Sequence, residues 1–536
     1  MSSYLRVVLA VAFASCAFVH VDRVACAASP EPEAANAELR GFLESQGSPA
    51  FAADDRGAEL WRVLQAFYWN RGYRPAWVRD GRLTPGAQGL LRAVAGAERE
   101  GLSPDRYEPR ALLGAAPQVV NATVSPDGGA RLARMDAAVT YAFLRYASDL
   151  ATGSVDPRGA ASLWRVSTPP FDARTALEDA ADGDAPARVL ETMRPAHPQY
   201  GALVGALARY RRLAAAGGWP LVPAAAMKPA RRASSAAVLR VRLQASGDLA
   251  GTDGRALTAG VKTFQRRHGL RADGVVDRAT LEALNVPVED RIRQIELNLE
   301  RWRWQGFEAG GRTILVNVPT FQLHAYEDGR EALTMRVITG AGDTQTPIFA
   351  EEMDQVVFSP HWNVPANILE TEVLPAIRRD PGYLARKNME MVRSESGAMA
   401  VRQRPGPTNA LGLVKFLFPN PFNVYLHDTP GDALFAKPRR ALSHGCVRLE
   451  KPEELARFVL RGSEWGDGAI ARAMGRGREQ FVTLPAPVPL RIAYFTTWVD
   501  PDGTVRFAPD VYRHDVAQAK LLSPPLPATV MAYARP

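Results

Sequence analysis

The chain has 536 residues, 46% hydrophobic and 23% charged. That balance is ordinary for a globular protein, and the length excludes a single core, so several domains are expected. The net charge of +8 and isoelectric point near 9.5 suit an anionic setting such as nucleic acid, a membrane surface or an acidic polymer. The basic residues are mostly arginine and form no dense run, which argues against nucleic acid.

Residues 1–27 read as a signal peptide. Arg6 supplies the positive start, and Val7 to Val19 is apolar but too short for a comfortable membrane span. Ala25-Cys26-Ala27 fits a small-x-small cleavage site. An uncleaved anchor is the alternative. A lipidated cysteine is disfavoured, because neither Cys16 nor Cys26 has leucine three places before it. No later apolar run is long enough to cross a bilayer, so no membrane span is expected in the mature chain. Cleavage after Ala27 would remove two of the three cysteines and leave Cys446 as a lone thiol in an oxidising compartment.

Residues 28–56, rich in Ala, Pro, Glu and Asp, read as a flexible tether. Residues 57–225 read as a helical scaffold domain. Leu60, Val63, Leu64, Phe67 and Tyr68 form one helical stripe, Leu90, Leu91 and Val94 a second, and Leu203, Leu207 and Tyr210 a later one. Residues 232–287 predict three short helices, with tight turns at Gly269 and Gly274. Residues 288–311 predict a connector helix with Ile292, Ile295, Leu299 and Trp302 on one face.

From 312 to 483 the pattern changes to strands. Residues 364–411 interrupt it with helical and loop sequence, an insertion of the length expected for a lid. Residues 484–536 read as a C-terminal extension of this domain, with a hairpin turning at Pro501-Asp502-Gly503. The fold class expected is therefore multidomain α+β.

The stretch "RALSHGCVRLE" at 440–450 holds Cys446 among polar and backbone-permissive residues, unlike a core cysteine. His427 ends a strand nineteen residues earlier, a separation at which two strand ends can meet. A thiol beside a base can attack a carbonyl and form a thioester. Gly445 lets the backbone turn so that successive N–H groups face an oxyanion. His444 is expected to shape that turn and lend its N–H, although it is closer to Cys446 in sequence than His427 is. Arg448 is suited to a substrate carboxylate. Asp428 or Ser443 is expected to orient the His427 ring. Trp362 is a weaker candidate for the pocket wall. A zinc site from His427, His444 and Cys446 has too few evident ligands, so no metal is expected.

These residues carry a resemblance. "HDTP" followed by "ALSHGCVRLE" resembles the active-site signature of the L,D-transpeptidases with a YkuD-type catalytic domain. "HWNVP", "NALGLVKFLFPN" and "YLHDTP" are similar to long, multidomain Gram-negative members, in which Arg is common at the position of Arg448. Phe264-Gln265, Gly269-Leu270, Asp273-Gly274 and Thr280-Leu281 resemble the three-helix peptidoglycan-binding domain.

The resemblance implies a helical scaffold, a peptidoglycan-binding domain and a β-rich catalytic domain with a capping insertion. It implies a periplasmic enzyme, needing no metal or organic cofactor, whose Cys446 attacks a donor tetrapeptide stem and releases D-alanine. The acyl group would then pass to the diamino-acid side chain of an acceptor stem as a 3→3 cross-link. His427 would donate and accept the proton, and carbapenem-type β-lactams would be covalent inhibitors. Two alternatives stay open: an L,D-carboxypeptidase or other hydrolase using the same thioester, and a non-catalytic peptidoglycan-binding protein.

Overall fold

The computed structural model describes residues 31–45, 49, 52–120, 128–183, 185–227, 232–250, 254–306, 310–393, 397 and 399–522. The signal peptide expected at 1–27 lies outside them. No described helix is long and apolar enough to cross a membrane.

The first part is helical: α1 (Glu31–Ser45), α2 (Asp55–Asn70), α3 (Pro85–Ala95), α4 (Pro109–Val120) and α5 (Gly128–Thr152). A small hairpin, β1 (Val78–Arg79) with β2 (Arg82–Leu83), follows α2. Asp54 and Thr84 cap the N-termini of α2 and α3, accepting from Gly57 and Ala87 N–H. The α5 helix is buried along most of its length, and its Asp136 carboxylate accepts the N–H groups of Ala76, Trp77 and Val78 at 2.7–2.9 Å.

The expected tether is corrected at its centre. Leu39 and Leu43, four apart on α1, are buried in the core that α5 also enters. Their spacing gives the segment an apolar stripe, which its acidic composition obscures.

The helical part continues through β3 (Trp164–Arg165), α6 (Ala173–Asp182), α7 (Pro186–Thr192) and α8 (Pro198–Ala215). The three expected short helices are α9 (Arg232–Ala245), α10 (Gly254–Arg267) and α11 (Arg278–Leu284). They share a small core of Leu239, Leu243, Val261, Phe264 and Leu284.

The connector, α12 (Val288–Arg303), is no mere spacer. Ile295, Leu299 and Trp302 are buried in the helical core, and the Glu300–Arg303 ion pair is almost fully buried. Glu300 also accepts from Ser154 Oγ and Val155 N–H, both at 3.1 Å, fixing the end of α5.

The sheet comprises β4 (Arg312–Asn317), β5 (Gln322–Glu327), β6 (Arg330–Gly340), β7 (Ile348–Phe358), β11 (Val414–Leu417), β12 (Leu426–His427), β13 (Ala441–Ser443), β14 (Val447–Leu449) and β15 (Gln480–Ala493), joined by β3. Its order is β11-β12-β14-β6-β5-β4-β15-β7-β3, with β13 on β6, and β11 also pairs with β7, so the sheet closes on itself. The boundary expected at 483/484 is corrected: β15 crosses it and lies between β4 and β7. Its alternating Val482, Leu484, Val488, Leu490 and Ile492 are core residues. The later hairpin, β16 (Thr497–Val499) with β17 (Val505–Phe507), forms as expected, and its Phe507 joins the helical core.

The insertion is also more ordered than a helical lid. After β8 (Trp362–Asn363) come α13 (Ala366–Ile368), a π turn at Leu369–Val373, α14 (Leu374–Arg379) and α15 (Tyr383–Arg386). The antiparallel strands β9 (Met389–Arg393) and β10 (Met399–Gln403) then complete a three-stranded sheet with β8. Val364, Ile368, Val373, Met389 and Val401 form its separate core. Helices α16 (Pro452–Val459), α17 (Asp467–Gly475) and α18 (His514–Leu521) complete the fold.

Three histidines are built in as neutral rings. His197 stacks on Trp302 at 4.5 Å, His268 on Phe264 at 3.8 Å, and His514 meets Trp164 and Tyr494 edge-on. Burial pushes His197 and His514 down to about 4 and His268 well below its ordinary value. The unfolded chain therefore binds more protons between about pH 6.5 and 4, and stability present above that window is lost as pH falls through it. The urea midpoint is expected to fall steadily from pH 7 to 4.5, and less steeply in His197→Phe. An identical pH slope in the variant would refute this role for His197.

Candidate active site

The site follows from one strand register. β12 and β14 are parallel, with Leu426 opposite Val447 and His427 opposite Arg448. One step back, the same register sets Tyr425 beside Cys446. Side chains alternate along a strand. Leu426, Val447 and Leu449 therefore enter the core, where they are at most 1% exposed. Tyr425, His427, Cys446 and Arg448 take the other face and line a cavity of about 700 Å3. His427 and Cys446 are diagonal neighbours on that face, a relation that long side chains can span.

The turn before Cys446 is held from behind. Ser443 Oγ donates to Cys446 O at 2.6 Å and accepts from Gly445 N–H at 3.2 Å. Gly445 adopts φ 117, a conformation that strongly favours glycine. Thr346 Oγ1 donates to its carbonyl at 2.8 Å, and Tyr512 hydroxyl donates to Gly340 O at 2.6 Å beneath. Tyr512, from the C-terminal segment, thus supports the floor of the site.

His427 is buried, and its Nδ1 donates to the Asp428 carbonyl at 2.5 Å. That tautomer leaves Nε2 as the basic nitrogen. Burial, then the adjacent Arg448, pushes the ring down to about 3, while the bond to Asp428 opposes this. Burial also raises the Cys446 thiol, against the lowering effect of the adjacent Tyr425 and of Arg448. At neutral pH the resting pair is therefore thiol and neutral imidazole, not thiolate and imidazolium.

Two expected orienters act differently. The Asp428 carboxylate accepts from Leu413 N–H at 2.8 Å and Thr429 N–H at 2.7 Å, so only its main-chain carbonyl serves His427. It instead pins the segment leading out of the insertion. A Cβ on Gly412, whose φ is 61, would fall 2.3 Å from that carboxylate. Ser443 ties the Cys446 turn and makes no bond to His427 among the described residues. His444 Nε2 pairs with Glu372 Oε1 of the insertion at 2.8 Å, with both side chains about half-exposed. The Gly445 N–H is engaged by Ser443, which narrows the amides available for an oxyanion.

Arg448 Nε is buried with no hydrogen-bond partner, and the side chain borders the cavity. An unmet donor there suits an incoming carboxylate. Trp362 also lines the cavity. Tyr425 is the site residue that motif reading missed. Its hydroxyl neighbours Cys446 and Trp362, its ring lies 5.7 Å from that of His427, and burial pushes the hydroxyl above its ordinary range. Its position two residues before His427 on a strand was the available signal. Among the described residues, no three His, Cys, Asp or Glu side chains converge to hold a metal ion.

A catalytic domain with a cysteine–histidine cleft beneath a capping subdomain is the class this architecture defines. Residues 311–467 match the family model described as the L,D-transpeptidase catalytic domain, residues 237–284 the "Putative peptidoglycan binding domain", and residues 62–207 the scaffold domain. Residues 311–467 therefore match as an L,D-transpeptidase catalytic domain. The chain is similar to a "Putative L,D-transpeptidase" of Haemophilus influenzae, 31% identical over 218 residues, covering 38% of this chain and 44% of the relative.

Solved L,D-transpeptidases also match. One is LdtMt1 in complex with imipenem, at 12% identity and TM-score 0.19, covering 34% of this chain and 59% of that one. Another is from Stackebrandtia nassauensis, at 14% identity and TM-score 0.21, covering 47% and 88%. Neither likeness is close enough to bear on the site.

Tyr425→Phe removes the hydroxyl that lowers the Cys446 thiol and leaves the ring in place. Alkylation of Cys446 by iodoacetamide at pH 8, read on the isolated peptide, is expected to slow by ~fivefold. An unchanged rate in a folded variant would remove Tyr425 from the reactive centre.

Proposed function

We propose that this chain is a peptidoglycan L,D-transpeptidase of the periplasm, exported by residues 1–27. The single observation behind this reading is the shared strand face that sets Tyr425, His427, Cys446 and Arg448 in one cavity, with Arg448 Nε unmet. Arg448 holds a carboxylate of the donor stem. His427 Nε2 takes the Cys446 proton as sulfur attacks the carbonyl before the terminal D-alanine. The C–N bond breaks, the proton passes from His427 to the departing amine, and a thioester remains. The acceptor's side-chain amine then attacks, giving its proton to His427. As the C–S bond breaks, the sulfur regains a proton and the cross-link is complete. The His444 and Cys446 amides serve the oxyanion.

The insertion borders the cavity through Trp362, Val364 and Glu372, and acts as a lid that limits water. Water in place of the amine would make the same thioester a carboxypeptidase intermediate. Muropeptide analysis after incubation with purified tetrapeptide dimers separates the two outcomes: 3→3 linked products support transfer, and tripeptides alone support hydrolysis.

The roles divide by variant. A carbapenem is expected to add covalently to the intact chain at Cys446, read by mass. Cys446→Ala and His427→Ala should give no adduct. His444→Ala should slow acylation by no more than about fivefold, since its half-exposed pair with Glu372 is weak. Loss of the adduct in His444→Ala with full acylation in His427→Ala would reverse the assignment.

A further inference from the structure

A cleft of about 490 Å3 lies where three parts of the chain meet. The C-terminal end of α10 forms one wall. The β4–β5 turn, with Arg336 and Arg440, forms the second. The β16–β17 hairpin forms the third. Three of its arginines are neutralised: Arg267 by Asp248 at 2.5 Å, Arg506 by Asp500 at 2.6 Å, and Arg336 by Glu450.

Two are not. Arg440 is only 9% exposed. It donates to the carbonyls of Lys437 at 2.8 Å, Phe321 at 3.0 Å and Val337 at 3.1 Å, and lies over the Phe321 ring. Arg266, exposed at the cleft mouth, donates to Thr263 Oγ1 at 2.9 Å. No carboxylate lies within ion-pair distance of either among the described residues. Carbonyls satisfy the N–H groups of Arg440 but supply no counter-charge, and a buried cation is costly without one. Asp502 also lines the cleft, on the Arg506 side, so the uncompensated positive charge sits with Arg266 and Arg440.

We infer that this cleft is a second peptidoglycan site, taking a carboxylate-bearing stem peptide and its sugar against Arg266 and Arg440. This rests on the proposed function. Two observations favour peptidoglycan over a phosphate polymer. The α10 wall lies within the segment matching a peptidoglycan-binding domain. Arg440 also directly precedes β13, whose last residue, Ser443, ties the Cys446 turn. From 440 to 446 is no more than roughly 20 Å of extended chain. One wall polymer can therefore span both sites. Leu270 and Pro509 offer apolar faces for sugar rings, and Thr320 and Thr504 offer hydroxyls.

Hydrogen exchange of the full chain carrying Cys446→Ala, with a soluble disaccharide-tetrapeptide, tests this. Protection is expected at 263–270, 319–322 and 500–506, in addition to 423–427 and 443–448. Arg266→Glu should raise half-saturation for the first set by about tenfold, and Arg266→Lys should restore it. Protection confined to the Cys446 cavity would overturn the cleft and leave the proposed reaction standing. Protection of the cleft alone would support the second site and count against the reaction. Equal cleft protection in Arg266→Glu, or protection by polyphosphate but not by the muropeptide, would also overturn the inference.

Discussion

The reactive centre depends on the register between two very short parallel strands. A slip of one residue between β12 and β14 would send either Tyr425 and His427 or Cys446 and Arg448 into the core. Three apolar side chains oppose that slip. Leu426, Val447 and Leu449 are at most 1% exposed, so moving them outward would forfeit their burial. Strands of two and three residues could not hold position alone. β12 is also tied to β11, and β14 to β6. The crossover between them is long enough to make a parallel return, and it carries β13, which lies along β6 and presents Ser443 to the turn.

The electrostatics of the pair follow from the same burial. Arg448, lateral to His427, further penalises an imidazolium. In the proposed reaction, proton transfer is therefore coupled to attack on the substrate, rather than completed beforehand. A thiol kept protonated is also a poor target for oxidants, because the thiolate is the form that reacts. For a chain exported as proposed, this offers a physical reason why a lone cysteine can persist.

Sequence carried much of this, unevenly. Helical stripes such as Leu90, Leu91 and Val94 were legible because burial repeats with the helix period, and all three are fully buried. Cys446 and His427 stood out by chemistry and isolation. Asp428 misled because its position next to His427 fixed its neighbourhood but not which of its oxygens faces the ring. Ser443 misled likewise: within a tight turn its hydroxyl reaches backbone atoms two and three residues away. Tyr425 needed only the alternation rule applied one step further. The β15 strand was harder, because Pro485, Pro487 and Pro489 look like loop sequence. The paired register shifts between Thr483 and Val488, with the interval out of the ladder.

The helical region and the catalytic sheet are not separable at a linker. On its edge away from β15, β7 pairs with β11 over 355–358 and with β3 over 348–349. Ile348 N–H also donates to Leu163 O at 3.0 Å. Trp164 then fills a pocket against Trp304 and Tyr494. A fragment beginning after the helical region would expose main-chain donors and acceptors at 348–349 and lose the indole that covers them. Such an unsatisfied edge is a template for pairing with another chain. An isolated fragment of the sheet domain would therefore be a self-associating species whose behaviour reports on the cut, not on the protein.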